Sequence, residues 1–239
     1  MVIYFGTSDW EKYRTVRDHL EERWDLEVRF EPRVTLPEEP SDALGVLHDW
    51  GVDVMNIVDT AKHEELLCKV ATKKVKASFQ YTREQPSISV DSGFFVDELG
   101  NIPGSCVRLW LKLRGGGVTA LNTLLDELGH GASRKCRFSH ALTYMDDRLE
   151  APKFFKSESV GRISERVRGA SSEMSEKSPL WRVFEPLNAP EILEEERNKT
   201  ISEMTRQEYE RYSLDTHTYL TDLGNWLKEN RAVKSKNQR

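Results

Sequence analysis

The sequence predicts an α/β protein, and three observations carry that prediction. Short β-rich runs alternate with amphipathic helical stretches, the first strand passes through a polar turn into a helix, and the middle of the chain is β-rich. At 239 residues and 27.6 kDa the chain is long enough for one large domain or for two lobes sharing one sheet. We find no internal repeat and no Pro-rich linker that would divide it, so residues 1–230 are expected to form one unit, with a basic, frayed tail over 231–239.

Val2 to Phe5 forms a short apolar strand that stops at Gly6-Thr7-Ser8. Tyr13, Val16, His19 and Leu20 recur at helical spacing after it, with Ser8 or Asp9 as N-cap. Leu26 to Phe30 alternates as a strand does, and Pro32, Pro37 and Pro40 break the chain beyond it. Ser41-Asp42 caps a short helix through Trp50, and Val52 to Val58 reads as a buried strand ending at Asp59-Thr60. Lys62 to Lys76 is an amphipathic helix with Leu66, Leu67, Val70 and Ala71 inward. Ser87 to Val90 is a strand entering Asp91-Ser92-Gly93, and Gly100 and Pro103-Gly104 punctuate the loop beyond. Helices are expected over Val107 to Leu113 and Ala120 to Leu128. Strands are expected over Arg137 to Tyr144 and Lys153 to Lys156, with Gly161 to Val167 extending the sheet. Ala170 to Ser178 reads as a loop, Ile192 to Lys199 as a solvated charged stretch, and Thr216 to Asn230 as a final helix carrying Leu220, Leu223, Trp226 and Leu227.

Composition excludes several functions. The formal charge is −5 and the pI about 5.8, against the strongly basic surface of a dedicated nucleic-acid binder. Apolar runs fall far short of the roughly 20 residues that span a bilayer. Met1 to Phe5 enters a strand without the basic segment and apolar core of a secretory signal, so a soluble cytoplasmic protein is expected. Cys68, Cys106 and Cys136 are widely spaced and odd in number, which disfavours both a disulfide framework and a zinc knuckle.

Chemistry-bearing residues gather at strand ends. Asp9, Asp59 and Asp91 all come just after apparent strands, and open α/β sheets collect ligands at the carboxyl ends of their strands. Two carboxylates holding Mg²⁺ with lysines nearby suit hydrolysis of a phosphoanhydride. Each aspartate taken alone also fits an ordinary turn or helix cap. Lys12 lies near the start of the first helix, where an anion docks readily, while Lys69, Lys73, Lys74 and Lys76 mark a polar helix face. Gly115 to Gly117 lacks the GK[ST] ending of a P-loop, and Ser92 lacks the G-x-S-x-G elbow. His140 and His217 have no partner at metal-ligand or triad spacing. Trp181, Phe184 and Tyr209 suit either base stacking or a core.

The stretch Asp91-Ser92-Gly93-Phe94-Phe95-Val96-Asp97-Glu98-Leu99-Gly100-Asn101-Ile102-Pro103-Gly104 resembles the inosine triphosphate pyrophosphatase family, in which E-D-[ST]-G leads into D-A-L-G-G-x-P-G. Thr7-Ser8-Asp9-Trp10-Glu11-Lys12 is similar to the family's T-x-N-x-x-K. Gly161-Arg162-Ile163 with Arg168-Gly169 resembles its G-x-I…R-G, and Thr200-Ile201-Ser202-Glu203-Met204 its T-x-A-E-M. The similarity runs in order over most of the chain.

That resemblance implies a long twisted mixed central sheet flanked by helices, two lobes with a nucleotide cleft between them, and usually a homodimer. It implies Mg²⁺-dependent cleavage of a noncanonical or modified purine nucleoside triphosphate to monophosphate and pyrophosphate. Carried over, Thr7, Ser8, Asp9 and Lys12 fall where the triphosphate is held. Asp91 falls on the catalytic carboxylate, with Lys12 assisting, and Ser92 and Gly93 on the adjoining turn. Asp59, or Glu38 further upstream, matches the metal-binding acid that joins Asp91, and Lys69 stands near the helix lysine.

The departures are concentrated. Asp9 replaces an asparagine and Val90 an acid. F-G-W-D-P survives only as Leu180-Trp181-Arg182-Val183-Phe184, leaving Trp181 for the base. The lysine after E-M becomes Tyr209, and the base-reading S-H-R becomes Ser213-Leu214-Asp215. These changes imply altered base specificity, with Ser213 and Asp215 facing the base. The alternative is a catalytically degenerate relative that binds a nucleotide or a protein.

Overall fold

A computed structural model describes residues 1–7, 9–32, 60–170, 178–187 and 198–232, with the side chains of residues 11, 60 and 61 left undescribed. The helix expected over 42–50, the strand over 52–58, and Ser8, Glu38 and Asp59 lie outside the described residues.

The chain opens with β1 (Val2–Gly6), α1 (Trp10–Arg23) and β2 (Glu27–Glu31), and α2 (Thr60–Tyr81) comes after the undescribed stretch. Next come β3 (Ser87–Val96), β4 (Ile102–Gly104), α3 (Val107–Leu113) and α4 (Gly117–Leu128). The hairpin β5 (Lys135–Met145) and β6 (Lys153–Ile163) leads to β7 (Phe184–Pro186). Two helices, α5 (Arg206–Thr216) and α6 (Thr218–Arg231), complete the described chain. The described strands form one open sheet in the order β2-β1-β3-β5-β6-β7, with β4 added beside β3. Pairing of β1 with β2 and with β3 is parallel and the other pairs are antiparallel, so the sheet is mixed as expected.

β3 departs from the sequence reading and positions the site. It does not turn at Asp91-Ser92-Gly93 but continues to Val96, paired with β5 from Ser87↔Met145 to Val96↔Cys136. The turn-like composition at 91–93 marks an interruption on its other edge instead. There β1 accompanies β3 only as far as Phe5↔Ile88, and β4 joins only from Phe94↔Gly104. Among the described residues, β3 runs between them past a notch at residues 89–93. Gly93 is required here, since an added Cβ would lie 2.8 Å from the Gly104 carbonyl oxygen of β4. β6 is likewise continuous through residues 157–160, joining two stretches expected separately.

One sheet face carries two apolar clusters. The first packs Ile3, Phe5, Val90 and Leu142 against Tyr13, Val16 and Leu20 of α1 and Leu220, Leu223 and Leu227 of α6. The second packs Phe94, Phe138 and Ile163 against Leu121 and Leu124 of α4 and against Leu180, Phe184 and Tyr212. On the opposite face lies α2. Ser89 and Thr143 both donate to the Ala71 carbonyl, at 2.7 and 2.9 Å.

The segments resembling G-x-I…R-G and T-x-A-E-M meet beside the second apolar cluster. Arg168 binds buried Glu185 at 2.5 Å and Glu203 at 2.8 Å, while Glu203 completes a capping box with Thr200. Arg162 reaches Glu185 from β6, also at 2.5 Å. Removing one partner of a buried charge set leaves the others uncompensated. Arg168→Ala is therefore expected to lower unfolding stability by about 3 kcal/mol, measured by urea titration.

Candidate functional site

Residues from four elements converge on the notch beside β3. β1 ends, Thr7 accepts a hydrogen bond from the Asp9 N–H at 3.1 Å, and Asp9 caps α1 by accepting from the Lys12 N–H at 3.0 Å. This cap is a local consequence of an Asp placed three residues before the first turn closes. It fixes Lys12 in the first turn of α1, partly buried. Burial and the positive charge of Lys74 lower the Lys12 ammonium from its ordinary pKa; Asp91 and Asp9 oppose the shift, and Arg108 of α3 adds to it. Two further cations and two carboxylates thus lie within electrostatic reach of Lys12.

Asp91 is half-buried on β3. Its Oδ1 accepts from Lys74 Nζ at 2.6 Å, and its side chain is 15% exposed. The other carboxylate oxygen makes no hydrogen bond among the described residues. β3 points Asp91 to the face carrying α2 and points Ser92 to the face carrying the apolar clusters. Ser92 Oγ meets His140 Nδ1 at 2.8 Å. Beyond it, His217 at the α5–α6 junction binds Ser213 Oγ through Nδ1 at 2.8 Å, with its ring 5.1 Å from that of His140. Burial, His217 and Lys12 push the His140 pKa well down, and burial with Lys12 takes His217 to about 4. Both imidazoles are neutral at pH 7.

Of the residues singled out in the sequence, Thr7, Asp9, Lys12, Asp91, Ser92 and Gly93 meet at the notch, and Ser213 joins through His217. Lys69 does not. It forms an exposed pair with Glu65 at 2.6 Å, and the lysine of α2 that reaches Asp91 is Lys74. Helical spacing explains the difference: Lys74 continues the stripe of Leu67, Ala71 and Ser78, whereas Lys69 stands about 200° around the axis from Leu67. Trp181 is half-buried against the second cluster, its ring 5.3 Å from that of Tyr209. Asp215 is half-buried on α5. The sequence offers no signal for Arg108 or for the pairing of the two histidines, because the contacts that bring them in are long-range.

As to a metal, no cluster of three or more His, Cys, Asp or Glu side chains stands ready among the described residues. Mg²⁺ does not require one, since it keeps several waters and binds through one or two carboxylates together with substrate phosphates. The unengaged oxygen of Asp91, with Asp9 nearby, fits that mode. Among the described residues no helix is long and apolar enough to cross a membrane.

A mixed open sheet whose polar residues gather where β1 and β4 part along β3 defines an α/β protein. A profile of the Ham1 family matches residues 3–217, and the chain belongs to that family. Solved structures agree in fold. The Staphylococcus aureus Ham1 protein has 16% identity and a TM-score of 0.61, covering 96% of this chain and 99% of its own. A HAM1 protein from Coxiella burnetii has 17% identity and a TM-score of 0.61, with the same coverage. The nucleoside-triphosphatase / dITP/XTP pyrophosphatase of Mycobacterium abscessus has 17% identity and a TM-score of 0.57, covering 96% of this chain and 98% of its own. No curated protein is similar enough to count as a match.

Proposed function

We propose that this chain is a nucleoside triphosphate pyrophosphatase that cleaves a noncanonical or modified purine nucleoside triphosphate to the monophosphate and pyrophosphate, with Mg²⁺ as cofactor and altered base specificity. The observation that carries this reading is the half-engaged Asp91 carboxylate, paired with Lys74 and within electrostatic reach of Lys12, which Arg108 also approaches. Family membership and the dITP/XTP pyrophosphatase activity named for the Mycobacterium abscessus neighbour support it.

In this reading Thr7, Ser8, Asp9 and Lys12 line the triphosphate end, and Lys12, Lys74 and Arg108 hold its oxygens. Lys74 takes the place that the resemblance gives to Lys69. Asp91, fixed on one oxygen by Lys74, uses the other to orient the attacking water and accept its proton. The water oxygen bonds to the α-phosphorus, the bond to the bridging oxygen breaks, and pyrophosphate leaves. Asp91 and Asp59 would hold the cation, which would offset phosphate charge and acidify water. Ser92 and Gly93 shape the floor. Ser213, Asp215 and Trp181 belong to the base end, where His217 supplies an imidazole one helical turn beyond Ser213. We further propose a two-lobed unit over residues 1–230, a homodimer, and a cytoplasmic location. The formal net charge of −5 supports a small-molecule substrate over nucleic acid.

Pyrophosphate release across standard, deaminated and modified nucleoside triphosphates, with Mg²⁺ and with chelator, tests this. Selective turnover abolished by the chelator is expected. Nucleotide binding without product from folded protein favours the degenerate relative motivated by Val90 and Asp9.

A further inference from the structure

Between the two apolar clusters the sheet face turns polar across three neighbouring strands. Ser92 of β3 pairs in register with His140 of β5, which pairs with Ser157 of β6. Val90 and Leu142 of the first cluster lie on one side of this stripe, and Phe94 and Phe138 of the second lie on the other. A two-residue period places all of them on one face, so the polar stripe is the floor between the two clusters. His217 stands over it with its ring 77° to that of His140, and Tyr219 packs against both rings at 5.7 and 5.4 Å.

This floor has hydrogen-bonding capacity to spare. Each histidine engages Nδ1 with a serine hydroxyl, and neither Nε2 makes a hydrogen bond among the described residues. Ser157 Oγ is buried with no partner among them. Buried polar groups are ordinarily satisfied, so an unsatisfied group marks a place where a ligand or water belongs. The stripe also differs in charge from the notch: cations gather at Asp91, while the two imidazoles are neutral beside the Lys12 ammonium. A neutral donor or acceptor suits an uncharged oxygen, whereas a phosphate gains more at the cations.

We propose that His140 is a specificity-determining residue whose Nε2 hydrogen-bonds a neutral oxygen of the substrate's nucleoside part, either a sugar hydroxyl or a base carbonyl. Ser92 holds the ring from Nδ1, donating its hydroxyl there when Nε2 carries the proton, and His217 forms the facing wall. This inference rests on the nucleotide reading of the cleft and adds a residue that the family motifs do not cover.

The test compares wild type, His140→Phe and His140→Gln on four nucleoside triphosphates: ribose and 2′-deoxyribose forms, each with a base carrying a carbonyl or an amino group at the same position. Calorimetric binding of the same nucleotides runs beside the kinetics. His140→Phe is expected to cut kcat/KM about tenfold, mainly through KM, for the substrate carrying the recognised oxygen and little for its counterpart. His140→Gln is expected to restore part of the loss. Collapse of the ribose preference assigns the sugar hydroxyl, and collapse of the base preference assigns the carbonyl. Unchanged ratios, or a uniform fall on all four substrates, overturn the proposal. If His140→Phe does not fold, the ratios of His140→Gln decide in the same way. Wild-type protein that neither binds nor turns over any nucleotide overturns the nucleotide reading itself, an outcome distinct from unchanged ratios in an active enzyme.

Discussion

Asp91→Asn is expected to lower kcat by about 10²–10⁴ while leaving the fold intact, because it removes the proton acceptor but keeps the side chain's shape. Asp91 sits mid-strand with β5 paired along its whole length, so backbone register does not depend on its charge. The exchange does cost the ion pair with Lys74. Lys74 is 26% exposed and can regain water, so the change in stability is small beside the change in rate. Steady-state turnover measured beside a thermal melt separates the two effects. Wild-type turnover in the folded variant would remove Asp91 from the mechanism, and an unfolded variant would move it into the structural core.

The second large effect is acid lability. His217 is lowered to about 4 and His19 to about 3, both chiefly by burial, and His140 is also well below the ordinary imidazole value. His19 lies between α1 and α6, bonding Thr221 at 3.2 Å through Nε2, with its Nδ1 buried and unpartnered among the described residues. An unfolded histidine takes up its proton near pH 6.5, while these remain neutral in the fold until far lower pH. The unfolded state therefore binds more protons through that interval, and stability falls as pH falls. The contribution is whole above about pH 6.5 and is lost progressively toward pH 4 and below. Its size is on the order of a few kcal/mol per buried imidazole. Urea midpoints at pH 7.5 and 5 should differ, and His19→Gln should flatten the difference. Equal midpoints would contradict the buried neutral state.

Much of this is legible in the sequence, and the gaps have physical causes. The β1–turn–α1 opening, its Asp9 cap and the last helix are readable because periodicity and capping are local. β3 reads short because Asp-Ser-Gly is a turn signature, yet the glycine is there for β4 to approach. The polar helix α5 has no apolar stripe to announce it. Its signal is the Thr205/Glu208 capping box, reinforced by Lys199 holding Glu208 at 2.6 Å and lowering its pKa to about 2. Lys74 is available from the stripe on α2. The meeting of His140 with His217 is not, since they come together only when α5 and α6 fold over the sheet.

The central claim is that the Asp91 notch cuts a triphosphate between its α- and β-phosphorus atoms. Resolving the products of one nucleoside triphosphate tests it most directly. Monophosphate and pyrophosphate in equal amounts, both lost together in Asp91→Asn, is the predicted result. Nucleoside diphosphate with orthophosphate, or undiminished product from the Asp91→Asn variant, would contradict it.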